Sequence, residues 1–164
     1  MVNKKPKIIF YILFFFAVSS LVIYILFPSI KKKNIYLDYR NEFPNVKFYN
    51  IDSNVKSRDQ LLISKDNVIF YLSKSCNLSV EMLKNYKKII VEKDNINYLF
   101  IWEDEIPASE INKWNIPIYN NYYLDNKYSF SNYFPTYFIV DKNFLVVFKT
   151  TDYNSFLNKY DEIS

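Results

Sequence analysis

The 164-residue chain contains no glycine. Glycine is the residue that enters the left-handed backbone region without steric cost. A chain lacking it must build every tight turn and helix end from residues that carry a Cβ. Asn and Asp tolerate that region best, and 20 Asn are available. The expectation is a fold whose turns rest on Asn or Asp. Half of the chain is hydrophobic and a fifth aromatic, with 16 Tyr and 15 Phe. That is ample material for a core and argues against disorder. The excess of Lys, Asn, Ile, Tyr and Phe suggests an AT-rich genome, hence a low-GC bacterium.

The strongest hydrophobic segment is Ile8 to Phe27, 20 residues without a charge. As a helix at about 1.5 Å per residue it spans roughly 30 Å, the thickness of a bilayer core. Lys4, Lys5 and Lys7 precede it, Lys31, Lys32 and Lys33 follow, and Pro28 stands where the apolar run stops. A small-x-small cleavage site, Ala17-Val18-Ser19, lies in the middle of the run, so a retained anchor is expected rather than a cleaved signal peptide. The lysines balance across the two sides and do not fix orientation. A short basic tail before the first apolar segment resembles a signal anchor, which places the C-terminal domain outside the cytoplasm. The expected organisation is a basic tail over 1–7, an anchor over 8–27, a polar linker over 28–45 and one domain over 46–164. The lipid bilayer is thus an expected partner, and the location a single-pass protein of the cell membrane.

Charge and residue inventory exclude much chemistry. Residues 1–33 carry six of the 21 basic residues and no acid, leaving 15 bases against 17 acids, a balance of −2, in the remainder. The basicity is juxtamembrane, so no nucleic-acid partner is expected. Histidine is absent and there is one cysteine, Cys76. A Ser-His-Asp triad, a Cys-His pair, a His-ligated or multi-thiolate metal site and an intrachain disulfide are all ruled out. No metal and no cofactor is expected.

Beyond the linker, strand and helix patterns alternate. Val46 to Ile51 alternates like an edge strand. Asn67 to Leu72 is a nearly all-apolar run, as for a central strand buried on both faces. Residues 77–90 read as a helix, with Leu78, Met82 and Ile89 near one face and Val80 and Leu83 nearby. Ile96 to Trp102 is a second buried strand. Pro107 to Trp114 is a short helix with proline at its first position. Thr136 to Val140 and Leu145 to Lys149 form a hairpin around Asp141-Lys142-Asn143, and Tyr153 to Tyr160 a final helix. The order implies an α/β sandwich with a mixed sheet.

Three segments carry a resemblance. Val68 to Met82 is a buried strand leading through a short loop to Cys76, which opens a helix. Phe134-Pro135-Thr136 through Asp141 is similar to a Pro-Thr-x-x-x-x-Asp hairpin. Tyr123 to Asn126, with Tyr128 to Tyr133, resembles the approach to that proline. Together they resemble the thioredoxin-like superfamily, in its membrane-anchored bacterial thiol-disulfide oxidoreductase and peroxiredoxin-related branch. The resemblance implies a thioredoxin-like three-layer sandwich, a cis proline at Pro135 beside Cys76, and a thiol or disulfide of a protein or peptide as substrate. It also implies that Phe134, Pro135 and Thr136 bind substrate, the Phe134 backbone pairing with an extended strand and Tyr133 with Phe134 forming an aromatic rim.

The departure from the family pattern is as informative. Its Cys-x-x-Cys reads here Cys76-Asn77-Leu78-Ser79, so Ser79 stands where a resolving thiol would be. The hairpin glycine is replaced by Asn143 or Phe144. A cysteine opening a helix faces unpaired amides and the positive end of the helix dipole, both of which favour thiolate, the attacking form in exchange. Ser79, one turn on, is positioned to donate a hydrogen bond to the sulfur. Cys76 and Ser79 are thus the expected catalytic pair. Such a site forms a mixed disulfide but needs an outside thiol to release it. A peroxide-reducing reading lacks a matching arginine despite Ser73, and a copper-delivery reading lacks the second Cys and a His. The alternative to exchange is a redox-inactive binding module for a membrane or secreted-peptide partner.

Overall fold

The computed structural model describes residues 14–19, 33–63, 66–89, 93–114, 120–125 and 127–163. The chain divides into two compact units, Met1–Lys31 and Lys32–Ser164. In the first, residues 14–19 are helical (α1), with Phe14, Phe15 and Phe16 exposed. The rest of the apolar run over 8–27 lies outside the described residues. Among the described residues no helix is long and apolar enough to cross a membrane.

The second unit is built on a seven-stranded mixed sheet of order β3-β2-β6-β5-β4-β8-β9. Its strands are β2 (Phe48–Asn50), β3 (Val55–Lys56), β4 (Asp66–Leu72), β5 (Ile96–Trp102), β6 (Asn121–Leu124), β8 (Thr136–Val140) and β9 (Val146–Thr150). Two short strands, β1 (Lys33–Asn34) and β7 (Tyr128–Ser129), pair in parallel beside it. The helices are α2 (Arg58–Leu61), α3 (Asn77–Ile89), α4 (Ala108–Trp114) and α5 (Tyr153–Glu162). The central β4 pairs in parallel with β5 and antiparallel with β8. It has a paired neighbour on each edge and side chains buried on both faces, which is why its sequence does not alternate.

The two-residue period of the strands sorts the core into two layers. Val68, Phe70, Leu72, Tyr98, Phe100, Trp102, Tyr137 and Ile139 face one side and meet Met82, Leu83 and Tyr86 of α3, Ile111 of α4, and Phe156 and Tyr160 of α5. Ile69, Tyr71, Leu99, Ile101, Phe138 and Val140 face the other, against Leu37, Phe43, Leu61, Leu62 and Phe130. The third layer is therefore α2 and irregular chain rather than long helices. Aromatic rings fill the first layer. Phe70 stacks on Phe100 at 5.1 Å and meets Tyr86 and Phe156 edge-on, each at 5.6 Å. Contacts of this kind add about 0.5–1.5 kcal/mol apiece beyond area burial.

Several expectations change on the tertiary structure. The described part of the expected 28–45 linker, from Lys33 on, belongs to the domain: Leu37 and Phe43 are buried, and Phe43 N–H donates to Phe144 O. Those two apolar side chains join Leu61 and Phe130 in covering one face of the sheet. The strand at 48–50 is not an edge strand, because β3 lies outside it. In α3 the buried positions are Ser79, Met82, Leu83 and Tyr86, while Leu78 is 62% exposed; the Ile89 side chain lies outside the described residues. Pro107 precedes α4 and caps it through its carbonyl, which accepts from Glu110 N–H and Ile111 N–H.

The left-handed backbone positions are Arg40, Ser53 and Phe144, among the described residues, and none is Asn or Asp. Asn and Asp serve the turns in another way. Asn50 Oδ1 accepts from Asn54 N–H at 2.7 Å, and Asp141 Oδ1 accepts from the amides of Asn143 and Leu145, each at 2.9 Å. A short side-chain acceptor at the start of a turn substitutes for a backbone one.

Candidate functional site

The site forms where β4 ends and α3 begins. Leu72 O accepts from Glu103 N–H, which ties the end of β4 to the end of β5. The chain then bends through Ser73 to Ser75, with Cys76 N–H donating to Ser73 O at 3.1 Å. Cys76 O accepts from Val80 N–H, so Cys76 is the residue from which α3 starts. Its side chain is half-buried and forms no disulfide. The first-turn amides of a helix lack partners within it and point toward this end.

Ser79 is fully buried one turn below. Its Oγ accepts from Ser73 N–H at 3.4 Å. The hydroxyl therefore fastens the helix to the loop that precedes it, and among the described contacts it makes none to the sulfur. A side chain on the inner face of α3 is held against the loop, which the sequence spacing does not specify.

Opposite Cys76 stands the loop before β8. The Phe134-Pro135 peptide bond is cis. The Cys76 thiol donates to Phe134 O at 3.2 Å. The structure thus brings together Cys76, Phe134 and Pro135, residues 58 positions apart at the sulfur–carbonyl contact. Thr136 is buried and shapes the loop: Oγ1 donates to Tyr133 O at 2.6 Å and lies within hydrogen-bond distance of the Ser131 hydroxyl, at 3.0 Å. The aromatic rim is only half as expected. Tyr133 is 71% exposed, but the Phe134 ring turns inward against Tyr71 at 5.2 Å. An apolar ring beside a buried ring loses less free energy than one left in water.

A groove of about 360 Å³ adjoins this contact, lined by Leu78, Glu81, Met82 and Asn85 of α3 together with Pro135, Tyr137, Thr151 and Tyr153. Tyr137 and Tyr153 were not singled out from the sequence. Tyr137 lies two residues beyond Pro135 on β8, and strand alternation is the signal that puts it on the α3 side. Burial pushes its hydroxyl well above the usual phenol range, with Tyr153, Asp152 and the Cys76 sulfur acting in the same direction. Burial also raises Tyr153. Both phenols are therefore neutral where a cysteine exchanges disulfides. Among the described residues, the buried Tyr153 hydroxyl has no hydrogen-bond partner. No group of three or more His, Cys, Asp or Glu side chains among them is placed to hold a metal ion.

A mixed sheet, a cysteine opening the helix after its central strand and a cis proline facing that cysteine define a thioredoxin-like α/β fold. Comparison with solved structures gives the same class. The chain is similar to the thioredoxin domain of a thiol-disulfide oxidoreductase from Bacteroides vulgatus, at 14% identity and a TM-score of 0.59 over 78% of this chain and 99% of that one. It is similar to a thiol:disulfide interchange protein from Bacteroides sp., at 14% identity and a TM-score of 0.59 over 77% and 90%. A peroxiredoxin-like protein from Aquifex aeolicus matches at 15% identity and a TM-score of 0.58 over 79% and 89%. No family model and no curated protein matches the sequence.

Proposed function

We propose that the chain is a membrane-tethered, extracytoplasmic thioredoxin-fold protein that carries out thiol-disulfide exchange through Cys76 alone. The observation that carries this reading is the 3.2 Å contact between the Cys76 sulfur and the carbonyl preceding the cis Pro135. It puts a thiol at a helix start, beside a loop whose backbone can pair with an extended peptide. The fold shared with thiol-disulfide oxidoreductases and an interchange protein supports it. The tether rests on the uncharged run from Ile8 to Phe27 between lysine clusters.

The chemistry follows from having one thiol. Ionised Cys76 attacks a sulfur of a substrate disulfide; a Cys76–substrate disulfide forms and the other substrate sulfur leaves as thiolate. Release needs a second thiol, from a small thiol or another protein. It attacks the mixed disulfide, becomes oxidised in Cys76's place, and returns Cys76 as thiolate. The neutral phenols of Tyr137 and Tyr153 flank the groove without adding negative charge near that thiolate.

A second reading is favoured by one observation. The thiol donates its proton to a carbonyl, a contact that serves neutral thiol and not thiolate. A redox-inactive binding module would keep such a contact. The two readings separate on the reactivity of native Cys76. Exchange predicts rapid alkylation near pH 6 in the folded protein, and capture of a disulfide-linked partner that Cys76→Ser abolishes. Labelling only after denaturation, or full activity of Cys76→Ser in cells, sinks the exchange reading.

A further inference from the structure

The observations reach furthest at an exposed aromatic patch where the chain enters the domain. Tyr36 is 75% exposed and Tyr133 71% exposed, and both line one shallow cavity of about 80 Å³. Tyr39, 58% exposed, follows in the same entering stretch, with the Arg40 guanidinium 5.1 Å from its ring centroid. Exposed aromatic rings that cluster, rather than scatter singly, mark interaction surfaces. This stretch is held firmly. β1 pairs with β7 through Lys33↔Tyr128 and Asn34↔Ser129, and Ile35 N–H donates to Ser129 O at 2.8 Å.

Two features identify the partner. In the sequence, five residues, 28–32, separate the apolar run from β1. The charge is also predominantly basic. Lys31, Lys32, Lys33 and Arg40 stand in or next to this stretch against one acid, Asp38, which accepts from Tyr39 N–H at 2.9 Å, and the following acid, Glu42, pairs with Arg58. Tyrosine rings with flanking cations are what partition to the headgroup level of a bilayer, and basic residues there are drawn to anionic lipid.

We infer that this face, carried by Lys33, Tyr36, Tyr39, Arg40 and Tyr133, docks on an anionic lipid surface. The inference rests on the tether proposed above. Its consequence is for substrate choice. Tyr133 directly precedes Phe134, whose carbonyl takes the Cys76 thiol. Docking there holds the exchange site at the lipid surface, so the substrates are thiols or disulfides of proteins themselves held at that surface.

The test uses the full chain in nanodiscs of phosphatidylcholine, with or without phosphatidylglycerol, doped with a photoactivatable headgroup lipid. Crosslinked peptides are mapped by mass spectrometry. The expected result is lipid attached to residues 33–40 and 131–133, more of it with phosphatidylglycerol, and little on α5, which packs on the opposite face of the sheet. Lys33→Gln should weaken the anionic-lipid component about fivefold, and Tyr36→Ser with Tyr133→Ser should reduce labelling of 131–133 to the level of α5. An anchored chain labelled evenly, or whose 131–133 segment crosslinks to a second copy instead of lipid, overturns the docking surface alone. A chain that alkaline carbonate washes off the bilayer overturns the tether and the docking surface with it.

Discussion

Arg40, Ser53 and Phe144 adopt φ of 68°, 61° and 64°, a region that costs an L-residue with a Cβ on the order of 1–2 kcal/mol. Two of the three are compensated. Phe144 lies under the Arg58 guanidinium, 4.3 Å from the ring centroid, and its carbonyl accepts from Phe43 N–H. Arg58 also donates to Phe43 O at 2.9 Å and pairs with Glu42 and Asp59. Arg40 N–H donates to Val146 O at 2.7 Å. Ser53 is exposed, and its N–H donates to Asn50 O at 2.9 Å. Ser53→Gly should therefore stabilise the domain by about 1 kcal/mol, read as a rise of a few degrees in Tm. Phe144→Gly should bring no such gain, because the ring beneath Arg58 goes with it. Equal gains from both would show that the Arg58 contact contributes nothing. Of the three residues at positive φ, Phe144 was legible as one of two candidates for the missing hairpin glycine, while Arg40 and Ser53 were not, because packing rather than residue type decides where a strained backbone is tolerated.

At the scale of elements, the junction of β4 and α3 decides what the site can do. Cys76 stands at the helix start as its spacing predicts, and the central strand and both flanking strands were legible from their apolar runs. Ser79 was legible as a position but not as a contact: it faces the loop, with its hydroxyl bound by Ser73 N–H. Ser79→Cys places a second thiol one turn below the first. If exchange runs through Cys76, a mixed disulfide that persists in the parent chain should dissociate unaided in this variant, followed on non-reducing gels with circular dichroism as the folding control. Equal lifetimes in the two proteins would count against a single-thiol exchange cycle. Strands β6 and β7 escaped the sequence reading because they are short and take their strand character from neighbours, β6 from β2 and β5, and β7 from β1.

For the molecule as a whole, buried phenols link stability to alkaline pH. Burial raises the Tyr71 hydroxyl to about 12, above the ordinary phenol value, and pushes Tyr137 up as well. The unfolded chain loses these protons first, so their contribution is fully present below pH 10 and is lost as pH rises toward about 12. For Tyr71 that contribution is on the order of 2–3 kcal/mol. Phenolate absorbance should show exposed tyrosines ionising first and a cooperative late fraction that coincides with loss of near-UV circular dichroism. Ionisation of all tyrosines before any loss of structure would contradict the burial. The sequence by itself determined the inventory: no glycine, no histidine, one cysteine, one uncharged 20-residue run and the alternation of apolar strand and helix segments. Those are local or compositional properties, and local periodicity is enough to specify elements. Only the tertiary structure decided that the stretch from Lys33 belongs to the domain, that Phe134 turns inward while Tyr133 stays out, and that the lone thiol meets a carbonyl 58 residues away. Each of these depends on contacts between segments far apart in the chain, which the spacing of residues along it does not encode.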